Sequence, residues 1–162
     1  MVTGSDPPHR ANAPTGSSPE STDLQNTKSG LRSSAADMGY SAIWESRVGL
    51  FYDGAGLMQL LDISSGELAR LSSAGEILRT RTADGTDLYP SFQFSASAEL
   101  LAGLREVLAV LDPGRDDPWG DALWLTAAVR RFEGCSSAEL MRQGELNPVL
   151  AMARQDRATW DR

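Results

Sequence analysis

The stretch YDGAGLMQLLDISSGELARLSSAGEILRTRTADGTDLYPSFQF, residues 52–94, decides the fold of this chain. Its first part predicts two short helices. Asp53 is a typical N-cap for the first helix, and Ser64 opens a capping box for a second helix over residues 65–74, which Gly75 ends. Two short helices that meet across a tight turn are typical of a helix-turn-helix.

A β-hairpin is predicted directly after the second helix. Residues 77–82 carry Ile and Thr in an extended pattern, and the following Ala83-Asp84-Gly85 is a turn signal. The sequence Asp87-Leu88-Tyr89-Pro90 predicts the returning strand, which Pro90 ends. A hairpin in this position would be the wing of a winged helix-turn-helix.

The periodicity becomes helical after Phe94. Apolar residues from Leu100 to Leu111 form one stripe, and the sequence Asp-Pro-Gly ends it at residues 112–114. Three shorter helices are predicted to follow, and their opening residues are Asp117-Pro118, Ser136 with Glu139, and Asn147-Pro148. The predicted fold class is therefore mainly α: a helix-turn-helix with a small β-hairpin wing, followed by a small helical bundle.

The chain divides into three predicted segments. Of residues 1–34, 20 are Ser, Thr, Pro, Gly or Asn, which predicts a disordered tail. Residues 35–94 combine a short amphipathic helix, over residues 35–50, with the winged helix-turn-helix-like segment. Residues 95–162 form the bundle, which ends in a polar stretch.

The composition excludes several classes of protein. The chain of 162 residues has one cysteine, Cys135, and one histidine, His9, so it cannot furnish a Cys/His zinc site or a Cys-His catalytic pair. Gly54 and Gly56 lack the remaining residues of a dinucleotide fingerprint or of a P-loop. We therefore predict no enzymatic activity and no cofactor. A small acyl- or phosphoryl-transfer enzyme is the hypothesis with the least support.

Carboxylates concentrate between the leucine stripe and the next helix. Hard metal ions prefer such oxygen ligands, but the spacing matches no EF-hand loop, and helix capping or solvation accounts for each residue. We predict no metal site at these residues, which are Asp112, Asp116, Asp117 and Asp121.

No stretch approaches the run of about 18 apolar residues that a membrane-spanning helix needs, and the N-terminus lacks the apolar region of a signal peptide. We expect a cytoplasmic protein with no membrane partner. The 15 Lys and Arg against 22 Asp and Glu give a net charge of −7, which supplies no general attraction to nucleic acid. Any DNA contact must rest on a local patch.

Three arginines form the candidate DNA-binding patch: Arg70 on the second predicted helix, and Arg79 and Arg81 in the wing. Residues 50–94 hold these three basic residues against six acidic ones, a local net charge of −3. Three basic residues per chain are few for a specific DNA-binding protein unless the protein forms homo-oligomers, which we expect. The alternative is an ordinary solvated surface.

The polar end of the chain offers a candidate protein-binding surface. After Ala153 the apolar pattern gives way to RQDRATWDR, which is too polar to complete a bundle. A tryptophan flanked by arginine has the composition of an interface hot spot, whereas the alternative is a frayed terminus. The candidate partner-binding residues are Arg154, Arg157, Trp160 and Asp161.

The second half of the chain resembles a known family. The run LYPSFQF at residues 88–94, the leucine-striped helix, and then DPWGDALWLTAAVRRFEGCSSAELMRQGELNPVLAMA at residues 117–153 resemble the C-terminal toxin-binding domain of the Xre/MbcA/ParS antitoxin family. In that family a Tyr- or Phe-Pro-x-Phe-Gln-Phe entry leads into a small bundle with a Trp near the start of one helix and a Gly before each of two later helices. The matching residues are Tyr89, Pro90, Phe92, Gln93, Phe94, Trp119, Trp124, Gly134 and Gly144.

The preceding stretch, residues 52–77, resembles the DNA-binding segment that is often fused to that domain. Three places depart from the family pattern. Asp62 stands where Gly is usual, and Gly66-Glu67 replace the more polar or basic start of the second helix. Ser137, in the bundle, stands where Pro is common.

The resemblance implies a type II antitoxin that binds and neutralises a toxin of the RES-domain class, whose members consume NAD, and that represses its own promoter. It also implies that the end of the chain covers the toxin's NAD pocket, where Trp160 would fill apolar space and Arg157 or Asp161 would meet polar groups. The alternative is a stand-alone DNA-binding regulator in which the bundle serves only to dimerise.

Overall fold

The protein is mainly helical, with one small antiparallel sheet. A computed structural model describes residues 31–32 and 41–160, with side chains described from residue 43 onward. In chain order the elements are β1 (Leu31–Arg32), α1 (Ser41–Val48), β2 (Phe51–Asp53), α2 (Gly54–Leu61), α3 (Ser65–Ala74), β3 (Thr80–Arg81), β4 (Asp87–Pro90), α4 (Leu104–Leu111), α5 (Pro118–Thr126), α6 (Ser137–Arg142) and α7 (Leu146–Trp160). Short 3-10 turns lie at Ser91–Gln93 and Arg130–Phe132.

The strands form one sheet in the order β1-β2-β4-β3. The predicted hairpin is present as β3 and β4, with Thr80 paired to Leu88. The strand β2 was not predicted, because its three residues acquire their extended conformation only by pairing with β4, Tyr52 opposite Tyr89. Strand β4 ends at Pro90, as predicted. The predicted disordered tail falls outside the described residues, apart from β1.

The two helices in the deciding stretch have the predicted caps. Asp53 Oδ1 accepts a hydrogen bond from Gly56 N at 2.7 Å at the start of α2. Ser64 Oγ accepts from Glu67 N at 3.2 Å at the start of α3. The sequence therefore predicted α3 with its observed bounds. The capping box is only half formed, because the Glu67 carboxylate pairs with Arg70 instead.

Asp62 explains one departure from the family pattern. It ends α2 in the left-handed conformation, with φ of 53° and ψ of 47°. Glycine adopts this conformation at no steric cost, and aspartate is among the few other residues that tolerate it. The turn between α2 and α3 is therefore retained without the glycine.

The predicted leucine-striped helix begins later than expected. Leu100 lies in an isolated β-bridge with Phe94, and α4 starts at Leu104, after Gly103 with φ of 80°. The apolar spacing was continuous, but the left-handed glycine separates an extended segment from the helix. The buried side of α4 consists of Leu104, Val107, Leu108 and Leu111.

Two hydrophobic clusters form the core. The smaller one surrounds Leu57 of α2 and includes Leu68 and Leu71 of α3. The larger one runs from Val48 to Ala153 and gathers side chains from the sheet and from all the later helices. It therefore contains residues on both sides of the predicted segment boundary between residues 94 and 95.

Gln93 joins the hairpin to the entry of the bundle. Its side chain is fully buried. Its Oε1 accepts a hydrogen bond from Leu78 N at 2.8 Å, and its Nε2 donates to Leu78 O at 2.9 Å. A glutamine amide thus substitutes for a neighbouring strand along Leu78. The Phe-Gln-Phe motif is therefore structural in this chain.

The polar end of the chain continues the last helix, which corrects the expectation that it is too polar to belong to the bundle. Helix α7 runs to Trp160, and Asp156 and Arg157 are half-buried. Asp156 Oδ2 accepts a hydrogen bond from Trp124 Nε1 at 2.8 Å. A polar contact to α5, rather than apolar packing, holds the final turns in place.

Candidate functional site

Arg70 lies on the exposed side of α3 and is engaged by two acidic residues. Its Nη2 is 2.9 Å from Glu67 Oε1, and its Nη1 is 3.1 Å from Glu76 Oε1. The hydrogen bond from Arg70 holds the pKa of Glu67 below its ordinary value. Because Arg70 and Glu67 are solvent-exposed, these ion pairs contribute little to stability. They nevertheless neutralise Arg70, the one basic residue of α3.

The two hairpin arginines share one carboxylate. Arg81 Nε lies 2.7 Å from Asp87 Oδ1, and Arg79 Nη1 lies 3.3 Å from Asp87 Oδ2. The hydrogen bond from Arg81 lowers the pKa of Asp87, so this carboxylate stays ionised. At the tip of the hairpin Asp84 adds a further negative charge, and its carboxylate accepts hydrogen bonds from Thr82 and Thr86.

The structure thus places Arg70, Arg79 and Arg81 on exposed sides of α3 and the hairpin, and pairs every one of them with a carboxylate. A phosphate group that approaches these side chains has to compete with Glu67, Glu76 or Asp87. The predicted DNA-binding patch is therefore electrically balanced by its own neighbours. The net charge follows from the amino-acid composition, but these pairings do not, because Asp87 faces Arg81 only through the hairpin register.

Three of the four candidate partner-binding residues are described, and all three lie on α7. Arg154 is exposed, and Trp160 is 57% exposed. Arg157 is half-buried and has an interaction partner. Asp161 lies outside the described residues.

A second arginine-bearing segment lies beside α7. Arg131, in the 3-10 turn before α6, donates from Nη1 to Gln155 Oε1 of α7 at 3.1 Å. Its guanidinium also lies over the Phe132 ring, 5.3 Å from the centroid. Arg130 and Arg131 are both exposed. Sequence reasoning missed these two residues, although the adjacent arginines before a Gly-containing turn were a usable signal.

We define the C-terminal surface as a set of five exposed residues of α7 together with the two arginines of the 3-10 turn. Among the described residues, Arg130, Arg131 and Arg154 form no ion pair with a carboxylate. Ala151, Arg154, Gln155 and Ala158 are all exposed and follow one another at a helical spacing, so they share one side of α7. The surface is composed of Ala151, Arg154, Gln155, Ala158, Trp160, Arg130 and Arg131.

The acidic cluster lies at the start of α5. Burial raises the pKa of Asp121, and the negative charges of Asp112 and Asp117 raise it further, to about 7. Asp112 Oδ2 accepts a hydrogen bond from Asp117 N at 2.8 Å, and Asp117 caps α5 by accepting from Gly120 N at 2.9 Å. Within residues 41–160, no group of three or more His, Cys, Asp or Glu side chains is arranged to hold a metal ion.

Comparison with known proteins gives one likeness of fold. No family model matches the chain, and no curated protein matches it in sequence. A solved structure titled "NMR structure of Rv2175c" is similar over 66% of this chain and 80% of that chain, with a TM-score of 0.56 and 18% sequence identity. At this identity the likeness concerns the fold alone. In the part of the chain that the structure describes, no helix is long and apolar enough to cross a membrane.

Proposed function

We propose that the protein is an antitoxin-like protein whose C-terminal surface binds and neutralises a RES-type toxin. The observation that carries this proposal is the contrast between paired and unpaired arginines. The arginines of α3 and the hairpin are balanced by their own carboxylates, whereas those of the C-terminal surface are not. The resemblance of residues 88–94 and 117–153 to the toxin-binding domain of the Xre/MbcA/ParS family supports the choice of partner.

The composition of the C-terminal surface favours a protein partner over nucleic acid. Trp160 is a large, exposed, rigid side chain, and tryptophan and arginine are enriched among the residues that dominate protein interfaces. Arg131 is already held by Gln155 and by the Phe132 ring, so less conformational entropy is lost when it binds. The chain's net charge of −7 opposes binding to a long polyanion such as DNA.

The test is co-expression with a RES-type toxin, with bacterial growth as the readout. The unaltered chain should restore growth, and the double variant Arg154→Glu/Trp160→Ser should restore much less. The matched control is Arg105→Glu/Ile43→Ser, because Arg105 is exposed on α4 and Ile43 is 65% exposed on α1. Full rescue by the Arg154/Trp160 variant would overturn the assignment of this surface.

A second candidate function is DNA binding, as a regulator or as an autorepressing antitoxin. The observation in its favour is the succession of α2, the turn at Asp62, α3 and the β3–β4 hairpin, the order of a helix-turn-helix followed by a wing. In this proposal the protein acts as a homo-oligomer, since one chain offers only three arginines. Such binding would be weak and sensitive to salt.

The test of DNA binding uses a duplex from the region upstream of the gene, titrated at several salt concentrations. Replacing Arg79 and Arg81 together by Ala should weaken binding to all sequences and flatten the salt slope by up to about two units per chain. An unchanged slope would remove the hairpin from the interface.

A further inference from the structure

Residues 112–117, which join α4 to α5, reach back to α3. Arg115 Nη1 donates a hydrogen bond to the backbone carbonyl of Ser72 at 3.3 Å and another to the carbonyl of Ser73. Both carbonyls belong to the last turn of α3, where helical carbonyls lack partners within their own helix. Arg115 therefore caps α3 from a segment more than forty residues away in sequence.

The fit of Arg115 against α3 depends on two backbone conformations. A Cβ atom at Gly75 would lie 2.7 Å from Arg115 Cζ, so glycine is the residue that leaves room for the guanidinium. Arg115 itself has φ of 56°, in the left-handed region that favours glycine. The side-chain contacts to α3 offset the conformational cost of keeping an arginine there.

Trp119, in the first turn of α5, reaches the hairpin. Its Nε1 donates to the backbone carbonyl of Arg81 at 3.0 Å, and Arg81 lies on β3, an edge strand of the sheet. The Trp119 ring packs against Trp44 with ring centroids 4.6 Å apart, and against Phe51 at 5.6 Å. One side chain of the bundle thus contacts α1, β2 and β3.

We propose that Arg115 and Trp119 form a latch between the bundle and the α2–α3–hairpin segment. A partner that binds the bundle changes the stability of the last turn of α3 and of β3 through these two side chains. Two sites are coupled when each biases the same element, and α3 with its hairpin is that element here. The biological use of the latch rests on the proposed function, but the coupling is a property of the chain alone.

The first test is amide hydrogen exchange on the full chain. The amides of Gly75, Glu76 and Ile77 all donate to carbonyls in the last turns of α3, so they report on its end. Arg115→Ala should speed their exchange by about tenfold, the effect of losing hydrogen bonds from a charged donor. Trp119→Phe keeps the aromatic ring but loses the N–H, and should speed exchange at Thr82. The control Arg105→Ala should change neither.

The decisive test perturbs the bundle far from the latch. Val149→Ala loosens the core of α7, since Val149 is fully buried. It should speed exchange at residues 75–77 in the natural chain and have no added effect in the Arg115→Ala/Trp119→Phe background. The latch is overturned if Val149→Ala has the same effect in both backgrounds, or none in the natural chain.

A second variant, which stabilises the bundle instead of loosening it, keeps the proposal testable if Val149→Ala fails to fold. Ser137→Ala removes a buried hydroxyl with no hydrogen-bond partner and should tighten the bundle. With the latch intact, Ser137→Ala should slow exchange at residues 75–77. In the Arg115→Ala/Trp119→Phe background it should leave these exchange rates unchanged. Equal slowing in both backgrounds, or no slowing at all, would contradict the latch. Neither variant involves a toxin or DNA, so failure of the latch and failure of the proposed function are separate results.

Discussion

The segment from α2 to β4 and the bundle from α4 to α7 differ in how their charged side chains are paired. In the first segment arginines and carboxylates satisfy each other, and the pKa values of Glu67 and Asp87 are lowered by their arginine partners. In the bundle the pKa of Asp121 is raised, because it is buried and its charged neighbours are also acids. Arg130 and Arg154 face no carboxylate among the described residues. The arginines of the first segment are therefore engaged by carboxylates, while the bundle retains arginines that a partner can use.

The largest expected effect concerns what holds the C-terminal surface on the bundle. Trp124 is half-buried and donates to Asp156, so Trp124→Ala should lower the free energy of unfolding by about 3 kcal/mol through lost packing and the lost hydrogen bond. Trp124→Phe keeps most of the packing and should cost about 1 kcal/mol. Urea unfolding measures both. Equal losses for the two variants would show that the hydrogen bond, and not packing, anchors the helix.

The burial of Asp121 near other acids of the bundle should affect the pH dependence of stability. Burial raises the pKa of Asp121 in the folded chain to about 7, against 3.8 for an ordinary aspartate, so the folded chain binds more protons than the unfolded chain between these values. Stability should therefore fall as the pH rises from about 4 to about 7. Asp121→Asn should remove this fall and add about 2 kcal/mol at pH 8, with no gain near pH 3.

The control for that measurement is Asp87, an acid of the segment from α2 to β4 that is paired with arginines. Asp87 has a lowered pKa, so Asp87→Asn should add no stability at high pH. Thermal or urea unfolding across the pH range measures both variants. A gain from Asp121→Asn that persists unchanged at pH 3 would contradict the assignment to ionisation.

A smaller effect is expected at Ser137, the first residue of α6. Its hydroxyl is buried and makes no hydrogen bond, so Ser137→Ala should raise stability by about 1 kcal/mol. Ser137→Pro should add a few tenths more, because proline suits the first helical position and Ser136 is already extended, with ψ of 163°. Ser136→Ala, which removes the helix cap, should instead lower stability by about 1 kcal/mol. Destabilisation by Ser137→Ala would reveal a role for the hydroxyl.

The smallest expected effect concerns the pairing of Arg79 and Arg81 with Asp87. Asp87→Asn releases Arg79 and Arg81 from their shared carboxylate. If the hairpin contacts DNA, the released arginines should steepen the salt dependence of binding by up to about two units per chain. Fluorescence anisotropy on the upstream duplex measures the slope. No change on Asp87→Asn would mean that carboxylate pairing does not limit DNA binding.

Local signals in the sequence predicted much of the fold. Ser64 and Gly75 fixed both ends of α3, and the turn at residues 83–85 located the hairpin. The strand β2 escaped prediction because its conformation depends on pairing with β4, far along the chain. The start of α4 was misplaced because apolar spacing continues through the left-handed Gly103.

The candidate sites depend still more on long-range contacts. The arginines of α3 and the hairpin could be named from the sequence, but their pairing with Glu76 and Asp87 needs the folded register. Arg131 joins the C-terminal surface only because it meets Gln155, 24 residues later. The latch at Arg115 depends on a loop that approaches α3 from the bundle. No local pattern encodes these contacts.

The structure also changes how the C-terminal surface is best tested. Removal of everything after Ala153 would delete Asp156, which anchors α7 to Trp124, so a truncated chain could fail through instability. Single side chains on the exposed side of α7 avoid this problem. Arg154 and Trp160 are exposed, and their replacement leaves the buried contacts of the helix in place.

The most direct test of the central claim is the affinity of the purified chain for a purified RES-type toxin, measured by calorimetry. We expect Arg154→Glu/Trp160→Ser to weaken binding by at least about a hundredfold, since truncation of a hot-spot residue costs about 2 kcal/mol or more. The control Arg105→Glu/Ile43→Ser should bind as the natural chain does. Unchanged affinity for the Arg154/Trp160 variant, or no binding by the natural chain, would contradict the account.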